Sequence, residues 1–253
     1  MEEPDEADRA VDAPPHDGGA TPSGGATATA AAAVALEGVS RCFVSSSEEV
    51  WAVRDATFSV DEGKFVCLFG ASGSGKSTLL NLIAGLDSAT SGTVEVGGVD
   101  VGSLGEDQRA RLRLERVGVV FQDHNLIEEF TAVENVMLPL EALGDSASEA
   151  RAKATGELDR VGLEGLGGRF PAQLSGGQRQ RVGIARALAG DRRLLLADEP
   201  TGALDSGNSR ALFELLRRLC DQGSTVLLAT HEAMSREFAD VVLEISDGVP
   251  VEL

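Results

Sequence analysis

Residues 1 to 33 consist largely of Ala, Gly, Pro, Thr and acid, with almost no large apolar side chains. Such a segment cannot bury enough surface to offset the entropy of ordering it, and a disordered tail is predicted. From Val34 the pattern becomes strand-like. Val50-Trp51-Ala52-Val53 and Ala56-Thr57-Phe58-Ser59-Val60 are β-rich and Asp61-Glu62-Gly63 is a turn, which predicts an antiparallel patch. Phe65-Val66-Cys67-Leu68-Phe69 is a continuous apolar run, as expected of a strand buried on both faces. Leu79, Leu80, Leu82, Ile83 and Leu86 then mark one broad helical face. The stretch from about Thr131 to Pro171 reads mostly helical, within an inserted helical subdomain of about residues 123–178. Leu194-Leu195-Leu196-Ala197 and Thr225 to Thr230 are again strand-like runs, and they end at Asp198 and His231. In an open parallel sheet ligands gather at the carboxyl ends of strands, so these two tips should converge on one site. The order of elements predicts an α/β fold with a parallel central sheet.

Length narrows this to one large α/β domain or two smaller ones: the chain has 253 residues and 42% of them are hydrophobic, enough for a substantial core. No apolar stretch approaches the roughly 20 residues that cross a bilayer. The acidic start, with Glu2, Glu3, Asp5 and Glu6, is unlike a secretory signal, so a cytoplasmic location is expected. Cys42, Cys67 and Cys220 form an odd set without C-x-x-C spacing, which predicts reduced thiols rather than a disulfide framework or a zinc site. Net charge is −19, and only Lys64, Lys76 and Lys153 are lysines among 22 basic residues. Nucleic acid is therefore not an expected ligand. The tail holds seven acids against one arginine, a net −6, which leaves −13 to the remainder. Acidity with so little lysine suggests a salt-rich cytoplasm, where hydrated carboxylates keep proteins soluble.

Two motifs carry the candidate chemistry. Gly70-Ala71-Ser72-Gly73-Ser74-Gly75-Lys76-Ser77 fits G-x-x-x-x-G-K-[ST], whose backbone N–H groups wrap a triphosphate while the lysine and hydroxyl serve the phosphates and Mg²⁺. It lies between a predicted strand and a predicted helix, whose N-terminus turns its partial positive charge toward the phosphates. The second motif is Leu174-Ser175-Gly176-Gly177-Gln178. Ser175 is predicted to start a helix whose Val182, Ile184, Ala185 and Leu188 pack inward while its N-terminus faces anionic phosphate. Two glycines at a helix entrance cost backbone entropy, and close approach by a ligand explains them.

Together, and in this order, the two motifs resemble the nucleotide-binding subunits of ABC ATPases, over roughly Leu36 to the C-terminus (residues 34–253 as a domain). The resemblance implies a P-loop NTPase core with an antiparallel β subdomain and an inserted helical subdomain, ATP and Mg²⁺ as ligands, and a head-to-tail homodimer. In that dimer Ser175, Gly176, Gly177 and Gln178 reach the γ-phosphate held by the partner's loop. Gly70, Ser72, Gly73, Ser74, Gly75, Lys76, Ser77 and Thr78 bind nucleotide, Lys76 on the β- and γ-phosphates and Ser77 on Mg²⁺. Asp198 is a Mg²⁺ partner, directly or through water, and Gln122, after Val117 to Phe121, senses Mg²⁺ and water and links the core to the helical subdomain. Glu199 matches the carboxylate that polarises the attacking water, and His231 the switch histidine that contacts the γ-phosphate. Asp205 ends a dimer-contacting segment, Pro200 to Asp205. Phe43 takes the place of the ring against adenine, usually a tyrosine and absent here because the chain has none; Trp51 is an alternative platform. His16 and His124 are assigned no chemistry.

Asn125 to Val136 and Leu138-Pro139-Leu140 resemble the lipoprotein-releasing, macrolide-exporting and cell-division group of these subunits. In that group this surface receives a short cytoplasmic helix from a separate membrane permease subunit. The implied function is an ATP-hydrolysing subunit, peripheral on the inner face of the membrane, that powers a transporter or mechanotransmission complex. A soluble ATPase driving assembly, such as the iron–sulfur scaffold type, is the alternative. A non-hydrolysing assembly switch fits less well, because Lys76, Asp198, Glu199 and His231 are all present.

Overall fold

Period-two alternation is hidden inside the apolar runs, and it organises the whole molecule. The computed structural model describes residues 32–45, 48–202 and 204–253. The expected tail, up to residue 31 and including His16, lies outside the described residues, as does Ala203. The elements, in chain order, are β1 (Ala32–Val44), β2 (Glu49–Asp61), β3 (Phe65–Phe69), α1 (Lys76–Ile83), β4 (Ser91–Val96), β5 (Val99–Asp100), α2 (Glu106–Glu115), β6 (Val117–Val120), α3 (Ala132–Ala142), α4 (Ala147–Arg160), α5 (Gly176–Leu188), β7 (Leu194–Asp198), α6 (Ser206–Asp221), β8 (Thr225–Thr230), β9 (Val241–Ser246) and β10 (Val249–Glu252). One sheet has the order β2-β1-β4-β5 and is antiparallel; the other runs β10-β9-β3-β8-β7-β6, parallel except for the edge strand β10.

Along β7 and β8, Leu195, Ala197, Val226 and Leu228 enter a core shared with α3, α4, α5 and α6. Their neighbours Leu194, Leu196, Leu227 and Ala229 enter a second core with α1 and the antiparallel sheet. Covered on both faces, these strands read as unbroken apolar runs. The parallel sheet is thus a partition between two cores, and its carboxyl edge is where the polar residues emerge.

The structure corrects one expectation, that for Leu86, and sharpens two others. The two β-rich runs at 50–53 and 56–60 belong to one strand, β2: Asp55 at φ 46° kinks it, the Ser40 hydroxyl accepts from the Asp55 N–H at 3.0 Å, and pairing with β1 continues in a shifted register. Leu86 is not on the α1 face and is 46% exposed. The helix stops earlier because Gly85, at φ 64°, donates to the Leu82 carbonyl while Leu86 N–H donates to Asn81, a left-handed cap that only glycine enters without cost. Finally, the range 123–178 cuts through α5, which starts at Gly176 and continues into the core, and its first residues are loop: His124 and Asn125 have positive φ, and Arg186 donates to both their carbonyls.

The helical subdomain is defined by caps. Thr131 and Glu134, Ser146 and Glu149, and Ser175 and Gln178 form reciprocal capping boxes at α3, α4 and α5. Fully buried Asn135 accepts from Ile127 N–H and donates to the carbonyls of Ile127, Phe130 and Thr131, tying the 127–131 loop to α3. Among the described residues no helix is long and apolar enough to cross a membrane.

Candidate nucleotide site

Strand β3 delivers the phosphate-loop motif to the carboxyl edge of the sheet, and the neighbouring backbone leaves no room for a side chain at two of its glycines. Gly75, the residue capping α1, has φ 105°, and a Cβ there would run into the Ala52 carbonyl of β2. A Cβ on Gly70 would meet the Ile245 carbonyl of β9. Lys76 is 5% exposed, and its Nζ donates to the Gly70 and Ala71 carbonyls at 2.8 and 2.9 Å. Ser72, Gly73 and Ser77 are exposed around it, with Ser74, Gly75 and Thr78 half-buried.

Three other strand tips converge here. Asp198 ends β7, and Glu199 follows in a left-handed conformation, φ 44°, its N–H held by the Ala229 carbonyl at 2.9 Å. A non-glycine residue there stores strain of order 1–3 kcal/mol, the kind of local cost that clusters at functional sites. The turn swings the Glu199 carboxylate between two partners: Oε1 lies 3.6 Å from Lys76 Nζ, and Oε2 lies 3.0 Å from His231 Nδ1. His231 follows the fully buried Thr230 but its own side chain is 64% exposed, so the strand tip is anchored and the imidazole stands free of the core. Gln122, after β6, turns its amide onto the Glu199–Gly202 turn, its Nε2 3.1 Å from where a Gly202 Cβ would sit.

Burial pushes the Asp198 carboxyl up from its ordinary value, opposed by the Ser77 hydroxyl; nearby Glu199 raises it further and Lys76 lowers it. Asp198 Oδ1 is buried without a hydrogen-bond partner among the described residues. A hard divalent cation would relieve that arrangement. Mg²⁺ favours one or two carboxylates, a hydroxyl, water and substrate phosphates, and Asp198, Ser77 and the Gln122 amide offer that donor set. Among the described residues no cluster of three His, Cys, Asp or Glu would hold a metal unaided. A cation here would therefore depend on phosphate oxygens and water as well.

The Ser175 motif is elsewhere in the molecule. Ser175 Oγ accepts from Gln178 N–H at 3.2 Å, while Gln178 Oε1 accepts from Ser175 N–H at 2.9 Å, so the glutamine's carbonyl oxygen is engaged in the cap. Val182, Ile184, Ala185 and Leu188 are buried, as expected. Ser175, Gly177 and Gln178 line a cavity of about 260 Å³ with Leu204, Asn208 and Arg181. Asp205 caps α6, accepting from Asn208 N–H at 2.9 Å and from its side-chain amide at 2.8 Å. One chain thus brings the phosphate loop, Gln122, Asp198, Glu199 and His231 together, and keeps Ser175–Gln178 and Asp205 in a second group. Phe43 and Trp51 are 44% and 40% exposed on the antiparallel sheet.

Sequence reasoning missed Ser209, whose buried hydroxyl donates to Glu232 Oε1 at 3.3 Å and links the start of α6 to the residue after His231. It also missed Arg41, two residues before Phe43 and therefore on the same strand face, a spacing that was visible in the sequence.

The sequence profile described as "ABC transporter" matches residues 53–202. Among curated proteins, the macrolide export ATP-binding/permease protein MacB of Bradyrhizobium diazoefficiens is 44% identical over 218 residues, covering 86% of this chain and 33% of that protein. The protein of the same name from Neisseria gonorrhoeae is 41% identical over 215 residues, with 85% and 33% covered. The chain therefore spans about a third of the length of these relatives. Among solved structures, the dimeric post-hydrolysis state of the ATP-binding cassette MJ0796 bound to ADP and Pi superimposes with a TM-score of 0.80 at 38% identity, covering 87% of this chain and 97% of that one. A second dimeric MJ0796 structure, of a bacterial ABC transporter cassette, gives 0.79 at 39% identity, covering 86% and 96%. With fold, phosphate loop and family profile in agreement, the chain belongs to the ABC transporter family, as an ATPase cassette.

Proposed function

We propose that two copies of this chain, placed head to tail, hydrolyse ATP and use the closing and opening of the dimer to drive a membrane permease subunit. Each copy contributes the phosphate loop, Asp198, Glu199 and His231 to one nucleotide, and Ser175–Gln178 with Asp205 to the other. The separation of these two groups within one chain supports that division, and the dimeric relatives support the stoichiometry. Ser77 and Asp198, with Gln122 nearby, would hold Mg²⁺, which would neutralise charge at the phosphates when bound. Lys76 moves from the loop carbonyls to the β- and γ-phosphates. Glu199 polarises the water that attacks the γ-phosphorus, and His231 orients the carboxylate through the Nδ1 contact. Loss of the γ-phosphate removes the contact that Ser175 makes across the interface, and the dimer opens.

The single observation carrying this reading is the Glu199 carboxylate suspended between Lys76 and His231 on a strained turn. Glu199→Gln should bind ATP, accumulate as a dimer and lose turnover by about 10²- to 10⁴-fold. Unchanged hydrolysis would remove Glu199 from the role.

A membrane partner is favoured over a soluble scaffold by the helical subdomain. Phe130, Met137 and Leu138 floor a surface groove rimmed by Glu129, Glu134 and Glu141. It suits a short helix with an apolar face, and the MacB relatives carry a permease in the same polypeptide name. Such a partner would hold the chain on the inner face of the membrane, in the cytoplasm. Co-purification with a permease tests this; a stable complex with soluble assembly factors alone would overturn it.

A further inference from the structure

Arg41, outside every motif, is held more firmly than surface arginines usually are. Its guanidinium carbon lies 4.5 Å from the centroid of the Phe43 ring. Its Nε donates to Asp87 Oδ2 at 2.9 Å and its Nη2 reaches Oδ1 at 2.8 Å, a forked pair with both side chains about a quarter exposed. Asp87 closes the turn after α1, whose first residue is Lys76, and its N–H is anchored on the Asn81 carbonyl. A second bridge runs beside the first: Thr90 N–H donates to the Ser40 carbonyl at 2.8 Å, and Cys42 N–H to Thr90 Oγ1 at 3.0 Å. Residues 87–90 therefore fasten the phosphate-loop helix to the strand that carries Phe43. Ion pairs this open to solvent add little to stability. A planar fork fixes orientation instead, which is what a stacking platform requires.

We propose that Arg41 is a positioning residue for nucleotide binding: clamped by Asp87, it covers one face of the Phe43 ring and sets the other in register with the phosphate loop for a purine base. The inference rests on Phe43 being the base platform. A phenyl ring offers a base no hydroxyl, so the stacking geometry is all it contributes. An unbraced ring on an exposed strand end would keep its surface and lose its orientation. Arg41 touches the ring and not the base, so its effect should pass entirely through Phe43.

The test is a set of dissociation constants for Mg·ATP and for magnesium tripolyphosphate, which carries the phosphates without the base. They are measured on the full chain, its Phe43→Ala, Arg41→Ala, Arg41→Lys and Asp87→Asn variants, and the Arg41→Ala/Phe43→Ala double variant. Arg41→Ala and Asp87→Asn should each weaken ATP roughly fivefold, the size of a half-exposed cation–π contact, with Arg41→Lys in between because the charge remains and the fork is lost. Tripolyphosphate affinity should stay within about twofold throughout, and the double variant should bind ATP no worse than Phe43→Ala alone. If Phe43→Ala weakens ATP and Arg41→Ala does not, or if their losses add, the Arg41 inference falls while the platform stands. Equal losses for ATP and tripolyphosphate in Arg41→Ala would assign it a general role in the fold and overturn the inference. If Phe43→Ala itself binds ATP normally, the platform reading fails.

Discussion

Individual side chains in this protein are tuned by what the sheet does to them. Cys220 is buried in the helical core and its thiol is pushed up to about 12, chiefly by loss of solvent, with Arg217 pulling the other way. Cys67, inside β3, is raised for the same reason, and its sulfur lies 3.2 Å from the buried Ser235 hydroxyl. Neither thiol offers a thiolate or a path for a reagent. Cys42 is half-buried on the strand beside Phe43. A colorimetric thiol titration of the native chain should therefore register one of the three cysteines promptly, and the other two only on unfolding. Protection of the prompt thiol by ATP would be consistent with base binding at Phe43; rapid reaction of all three would contradict the burial. At the same scale, Lys76, Asp198, Glu199 and His231 were legible because each ends an apolar run or completes a motif. The Arg41–Asp87 fork was not: its members are 46 positions apart and neither stands in a motif.

Elements were legible in proportion to how much of them is buried. Strands β3, β7 and β8 announce themselves as apolar runs, since both faces meet a core. Helix α2 buries only Leu112, so no apolar stripe marks it. Strand β2 reads as two β-rich runs because its kink at Asp55 interrupts the pattern without interrupting the ladder. Helix α3 shows how strongly a local motif fixes a boundary. The Thr131 hydroxyl and N–H both donate to Glu134 Oε2, at 2.6 and 2.8 Å, and hold its carboxyl below the ordinary glutamate range, the hydroxyl contributing most. Thr131→Ala should cost about 1 kcal/mol and lower the melting temperature by roughly 3 °C. Because the Glu134 value is depressed on folding, this stabilisation is present above the ordinary glutamate range and is lost as pH falls through the lowered value. The gap between wild type and variant should narrow in acid. A gap independent of pH would mean the carboxylate takes no part in the cap.

At the scale of the molecule, charge is the dominant feature. A net charge of −19 spread over a chain with three lysines implies mutual repulsion that water alone does not screen. The Debye length falls from about 10 Å at 0.1 M salt to about 3 Å at 1 M. Raising KCl across that range should raise both the melting temperature and ATP turnover, more so for the proposed dimer, whose formation would bring two like-charged copies together. Full activity and stability at low salt would count against adaptation to a salt-rich cytoplasm. The partner surface and any cargo were not legible, because they depend on another polypeptide, and the fold alone does not name them.

The cavity that joins Ser175 to Leu204 and Asn208, apart from the Lys76 loop, has a genetic consequence. If every reaction chamber borrows its lid from the other molecule, a chain damaged at Lys76 and a chain damaged at Ser175 are each inert by themselves, yet their mixture must contain hybrids with one undamaged chamber and one doubly damaged. Blending the two purified mutants should then rescue phosphate release, to a fraction set by how many hybrids form and by whether a lone chamber fires. Silence at every mixing ratio would mean either that no lid is exchanged or that the two chambers fire only as a pair, and cross-linking the hybrids would tell these apart.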